Sequence, residues 1–167
     1  AGRIIVGDVN YGLFEVDMAD PSAPVVAARY PLSGGADQLV RSGDDLWVAN
    51  NYAGVSRLAL APGVTPRVVG HWFIDQAVFA VAPGDDEAWL VVQEGGLIAL
   101  DRAAPSMPRD SGVLSAPGYM VKVGIADGRI AVRSGLNLDR MVVHVLDDGA
   151  PIQPLGEAVP DVYVAGA

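Results

Sequence analysis

A chain of 167 residues with a formal net charge of −9 and a single lysine, Lys122, presents an acidic surface. Such a surface repels phosphate and disfavours nucleic acid or an anionic membrane as a partner. The absence of cysteine excludes disulfides, thiol nucleophiles and cysteine-based metal sites. Apolar residues make up 51% of the chain, yet no run approaches the ~18 that a membrane span requires, and no basic, apolar leader is visible before Ala1.

The predicted elements begin with a β-branched run, Arg3 to Gly7, followed by a tight connection of turn-forming residues, Asp8-Val9-Asn10-Tyr11-Gly12. Leu13 to Met18 resumes as a strand. Asp20-Pro21-Ser22-Ala23-Pro24 breaks it, because two prolines remove two ladder donors. Val25 to Tyr30 forms a third strand, Pro31 to Gly35 turns, and Asp37 to Arg41 forms a fourth before Ser42-Gly43-Asp44-Asp45 restarts the pattern. Acidic pairs such as Asp44-Asp45, Asp85-Asp86 and Asp147-Asp148 fall in turns, where solvation is their expected role.

The pattern then repeats. Ile5, Trp47, Trp89 and Ala131 stand 42 residues apart, each inside a short apolar run. Gly12, Gly54 and Gly96 follow at the same step, and Pro24, Pro66, Pro108 and Pro151 close the units at steps of 42, 42 and 43. A period of this length with several short strands per unit predicts an all-β β-propeller, here of four blades with four antiparallel strands each. The units run approximately over 2–43, 44–85, 86–127 and 128–167 of a single domain. Gly and Pro are spread through the turns, and no segment has helical periodicity. The third unit replaces the Asn-rich connection with Val92-Gln93-Glu94-Gly95-Gly96. The fourth carries a longer one, Arg133 to Arg140, which delays its next strand, Met141 to Leu146.

The units resemble the LVIVD-repeat β-propellers. The eponymous strand matches Leu13-Phe14-Glu15-Val16-Asp17 and Leu97-Ile98-Ala99-Leu100-Asp101, and Val55 to Leu60 more loosely. The Asp-Pro-x-x-Pro turn matches Asp20 to Pro24, and Ser42-Gly43-Asp44-Asp45-Leu46-Trp47-Val48-Ala49 fits the Ser-Gly-Asp element. The resemblance implies a scaffold, common in exported, periplasmic or cell-surface proteins, and carries no catalytic motif to any residue here. Propellers of that family usually have more than four blades, which leaves open whether the ring closes on itself or is completed by another chain. The terminal strands, Arg3 to Gly7 and Val162 to Gly166, are phased to pair with one another or with a neighbour, since an unpaired edge drives association.

No H-E-x-x-H, G-x-S-x-G, phosphate-loop or dinucleotide pattern is present, and two histidines, His71 and His144, are too few for a multi-histidine metal site. Both read as strand residues. The candidate site is a ring of connections between the second and third strands of each blade. It comprises Asp8, Asn10 and Tyr11; Asn50, Asn51 and Tyr52; Gln93 and Glu94; and Asn137, Asp139 and Arg140. An oxygen-rich rim of this kind suits a hard cation such as Ca²⁺, with Asp8, Asn10 and Glu94 as candidate ligands, or a sugar. The same residue types are what tight connections require. Asp37, Gln38, Lys122 and Tyr163 are expected on strands lining the channel. These features point to a non-catalytic binding or assembly scaffold for a protein or glycan. A propeller hydrolase or lyase with a dispersed channel site and a structural subunit of a larger complex are the alternatives.

Overall fold

The computed structural model describes residues 2–61, 64–93, 96–102, 108–109, 119–126, 129–137, 140–146 and 153–154. Among them it shows strands and no helix. The first sheet holds β1 (Arg3–Asp8), β2 (Gly12–Asp17) and β3 (Val25–Tyr30). The second holds β4 (Gln38–Ser42), β5 (Asp45–Ala49), β6 (Val55–Ala59) and β7 (Arg67–Trp72). The third holds β8 (Val78–Pro83), β9 (Glu87–Val92), β10 (Leu97–Asp101) and β11 (Pro108–Arg109). The fourth holds β12 (Tyr119–Ala126), β13 (Arg129–Asn137), β14 (Arg140–Leu146) and β15 (Gln153–Pro154).

Each sheet is an antiparallel meander in sequence order. The 42-residue units and the sheets are offset by one strand, because a unit supplies the outer strands of one sheet and the innermost strand of the next. Four strands were expected in every blade, and the first sheet has three among the described residues. The segment expected to complete it, 162–166, lies outside the described residues. Among the described residues, no strand of the fourth sheet pairs with one of the first.

The repeat is visible in the packing. Sheets stack face to face, and each strand alternates its side chains between two neighbours. In sheet one, Ile5, Leu13 and Tyr30 face sheet two, where Leu39, Leu46, Val48 and Leu58 meet them. One step on, Trp47, Val55 and Trp72 of sheet two meet Val81, Ala88, Leu90 and Leu100 of sheet three. Then Trp89, Val91 and Leu97 pack with Val123 and Ile125 of sheet four. Trp47 is fully buried, and its ring stacks on Trp72 with centroids 5.4 Å apart. Trp89 occupies the same third position of its strand but is only half-buried.

Two glycines show the period at the level of the backbone. Gly12 and Gly54 have φ of 88° and 87°. A Cβ at Gly12 would lie 2.7 Å from both Tyr30 O and Leu32 N, and one at Gly54 would lie 2.1 Å from Trp72 O and 2.9 Å from Ile74 N. The obstructing residues are themselves 42 apart. Only glycine suits a left-handed residue pressed against a neighbouring backbone.

Candidate functional site

In a meander of this order, the connections between second and third strands of the four-stranded sheets, and their repeat counterpart between β1 and β2, emerge at one end of the sheets. So do the links from each outermost strand to the next innermost one. Loops 8–12, 31–37, 50–54 and 73–77 therefore share a surface. They are also joined directly. Asp8 O accepts the Ala36 N–H at 3.0 Å, and Asn50 Nδ2 donates to Gly35 O at 3.1 Å. A Cβ at Gly35 would sit 1.9 Å from Val9 O, so the link passes close under the first loop.

The expected rim residues divide into two kinds. Asp8 uses Oδ1 to accept the backbone N–H groups of Asn10 (2.8 Å) and Tyr11 (3.0 Å), an arrangement that forms the turn. Asn50 is fully buried: its N–H bonds Gly54 O, and its side chain holds Gly35. Asn51 adopts φ 54° and exchanges backbone hydrogen bonds with Val78, the first residue of β8. Asparagine tolerates that conformation better than other side chains. Asn50 and Asn51 thus tie sheet two to its neighbours, and the Oδ1 of each is buried without a protein hydrogen-bond partner. Asn10, Tyr11, Tyr52 and Gln93 are exposed.

Asn137 and Arg140 pair across the irregular end of β13 and β14. Glu94, Asp139 and Tyr163 lie outside the described residues. Among the channel candidates, Asp37 is exposed at the end of the link that precedes β4. Gln38 instead turns its Oε1 to the Val81 N–H at 2.8 Å, fastening β4 to β8. Lys122 lies on β12, paired in register with Arg133.

What gathers on this end is aromatic and acidic. Tyr11 is 71% exposed, Tyr52 66% and Phe73 68%, with Val9 beside them at 58%. Exposed apolar side chains gathered on one surface are the material of a recognition site. Asp8, Asp37 and Asp75 lie in the same four loops, which contain no lysine or arginine. Phe73 and Asp75 were not legible as site residues, because they sit in a link between blades, whereas the rim was drawn from connections within blades. The available signal was Phe73 itself, an aromatic standing 42 residues after the turn proline Pro31.

Elsewhere, Ser56 Oγ and His71 Nδ1 lie 2.9 Å apart on paired strands, but Ser56 is buried at 3% exposure between sheets. That hydroxyl has no open approach for a substrate. Among the described residues no group of three His, Cys, Asp or Glu side chains is placed to hold a metal.

The strongest electrostatic features lie between sheets. Buried Glu15 accepts from Tyr30 Oη and from the Arg3 guanidinium. The tyrosine hydrogen bond first, and the arginine second, hold its carboxyl below the usual carboxylate range. The same bond pushes the Tyr30 hydroxyl up. One repeat on, the pair recurs with its charges exchanged: Asp45 replaces Arg3 and Arg57 replaces Glu15, joined at 2.7 Å. Arg102 reaches the same Asp45 oxygen at 3.8 Å and, like Arg57, lies over the Trp47 ring.

No sequence family and no curated protein matches the chain. Solved structures match it in fold. It is similar to the N-terminal domain of Nup159, with a TM-score of 0.55 and 13% identity, covering 96% of this chain and 47% of that one. It is also similar to a chain in the S. cerevisiae assembly of Dbp5 bound to Nup159, Gle1, IP6 and ADP, with a TM-score of 0.53, 12% identity and coverage of 92% and 45%. The chain thus spans about half the length of these neighbours, and the likeness shows a β-propeller fold.

Proposed function

We propose that this propeller is a protein-binding scaffold whose loop face receives a partner segment with basic and apolar side chains. The observation that carries the reading is the exposed group of Tyr11, Tyr52, Phe73 and Val9, set among Asp37 and Asp75 in loops without a cation. Rigid aromatic side chains supply contact area at low entropic cost, and surrounding carboxylates steer a cationic partner. The Nup159 structure, solved with Dbp5 and Gle1, supports the reading as an instance of the fold in a protein assembly. An exported or cell-surface location and kinship with LVIVD repeats belong to the proposal on sequence motifs alone.

The test is a fluorescence titration with an amphipathic peptide of arginine and leucine, at low and high salt. Tyr52→Ser with Phe73→Ser should weaken binding by about tenfold or more, as loss of aromatic anchors does. Asp37→Asn with Asp75→Asn should flatten the salt dependence. Equal affinity in all variants, or for an acidic peptide, would refute the reading. Salt-independent binding of a neutral oligosaccharide at the same tyrosines would replace it with glycan recognition.

A further inference from the structure

Each link between blades runs past the loops of the two sheets it joins, and the 42-residue step sets the first link beside the second. Link 31–37 passes between loop 8–12 of sheet one and loop 50–54 of sheet two. It meets the first where Gly35 lies close to Val9 and where the Ala36 N–H donates to Asp8 O. It meets the second at Gly34, φ 73°, where a Cβ would lie 2.9 Å from the Ala53 Cβ. Neither glycine has room for a side chain, so between the loops the link is nearly bare backbone, exposed at Ser33 and Gly34. One step on, Asp75 and Gln76 stand where Ser33 and Gly34 do, and Phe73 stands where Pro31 does. The second link carries long side chains where the first is bare. Tyr11 and Tyr52, both exposed, belong to the two loops that flank this bare stretch, and Asp37 ends it on the inner side. Among the described residues the Asp37 carboxylate has no hydrogen-bond or ion-pair partner.

We propose that this trough between the first two blades binds a proline-rich segment in the polyproline II conformation, with an arginine set on Asp37. The proposal rests on the loop face as a site for a basic, apolar partner, and adds that partner's conformation and its seat. The width of the trough requires an extended chain. Gly34 and Gly35 touch the loops on either side, so the floor is about one backbone wide, and a helix about 10–12 Å across does not enter it. The hydrogen bonding disfavours an added β-strand. The Ala36 and Asp37 N–H groups already donate to Asp8 O and Ala49 O, and Gly35 O already accepts from Asn50 Nδ2. A polyproline II segment needs no main-chain partners and docks by laying its rings against aromatic side chains, which Tyr11 and Tyr52 supply on the two walls. Charge selects the arginine: the loops of this face contain no lysine or arginine, and a free carboxylate matches the guanidinium fork.

Fluorescence anisotropy of the full chain with two labelled peptides of equal length and charge tests it. One is a run of prolines with a single arginine, the other a helix-former of alanine and leucine with the same arginine. The proline peptide should bind the more tightly. Tyr11→Ser and Tyr52→Ser should each weaken it by about tenfold or more, as loss of an aromatic anchor does. Ser33→Trp, which sets a large side chain on the exposed bare stretch, should block it, and Phe73→Ser, on the next link, should leave it unchanged. Asp37→Asn should bring the arginine peptide down to the affinity of its glutamine counterpart. Far-UV circular dichroism on each variant verifies the fold. Equal binding of the two peptides, or proline-peptide binding that survives Ser33→Trp, would overturn the trough. The loop-face reading would outlive that result if Tyr52→Ser with Phe73→Ser still weakened the arginine–leucine peptide, and would fall with it if no cationic peptide responded to any of these changes.

Discussion

Replacing Trp47 by alanine removes the largest fully buried side chain among the described residues. Truncating a buried aromatic costs about 3–5 kcal/mol, as transfer free energy plus a residual cavity. The Trp72 stack at 5.4 Å accounts for roughly 0.5–1.5 kcal/mol of that. One contribution acts the other way. The Trp47 Nε1 is buried without a protein hydrogen-bond partner, and an unsatisfied donor costs about 1–3 kcal/mol. Trp47→Phe, which keeps most of the apolar ring and drops that N–H, should therefore lose less than about 1.5 kcal/mol. Trp89→Ala, at the equivalent position but half-buried, should lose about half as much as Trp47→Ala. Urea unfolding monitored by circular dichroism, with free energies extrapolated to water, measures all three. A loss below about 1 kcal/mol for Trp47→Ala, or equal losses at the two tryptophans, would refute the packing described for the sheet-two interface.

Two further outcomes follow from local geometry. Gly54→Ala should cost at least about 2 kcal/mol, since φ is 87° and the new methyl would lie 2.1 Å from Trp72 O. Gly43→Ala, at φ 59° with nothing within 4 Å, should cost only the conformational part, about 1 kcal/mol, in the same unfolding assay. Glu15 supplies a pH dependence. Its carboxyl is depressed in the folded chain, so its stabilisation is complete above the unfolded carboxylate value and is lost as pH falls through the lower, folded one. The raised Tyr30 hydroxyl gives the opposite arm: its stabilisation is present below the ordinary tyrosine value and is lost as pH rises through the folded one. Thermal melts of Glu15→Gln should flatten both arms, and curves parallel to wild type would contradict the triad.

The architecture was legible because a strand repeat has to place the same kind of residue at the same step. Ile5, Trp47, Trp89 and Ala131 each fall third in their strands, and that regularity is written in the apolar runs. What lies on either side of a strand is not written there. Leu46 and Ile4 are near-identical residues at equivalent positions, and only stacking order makes one buried and the other open. Gln38 read as a channel residue, yet its amide reaches Val81 N, a partner 43 residues away that no local pattern discloses. Asn50 and Asn51 offered acceptors suited to a rim. Their burial follows from the close approach of Gly35 and β8, which is a consequence of how blades meet. The exchange of charges between Arg3–Glu15 and Asp45–Arg57 was present in the repeat alignment, but it has meaning only once both pairs are seen between sheets.

The central claim is that one inter-sheet geometry recurs every 42 residues, and a chain without cysteine allows it to be tested by engineered disulfides. A Cβ built at Gly7 lies 3.0 Å from the Ala36 Cβ and 2.3 Å from Leu39 Cδ1; once that flexible methyl turns aside, a small relaxation reaches the spacing of about 3.5–4.5 Å that a disulfide requires. One repeat later the corresponding residues are Ala49 and Val78, both in the core between sheets two and three. Gly7→Cys with Ala36→Cys, and separately Ala49→Cys with Val78→Cys, should each lose two thiols on mild oxidation, measured by mass spectrometry on the intact chain. A bridge in the first pair with free thiols in the second would contradict the recurrence, and free thiols in both would contradict the stacked arrangement itself.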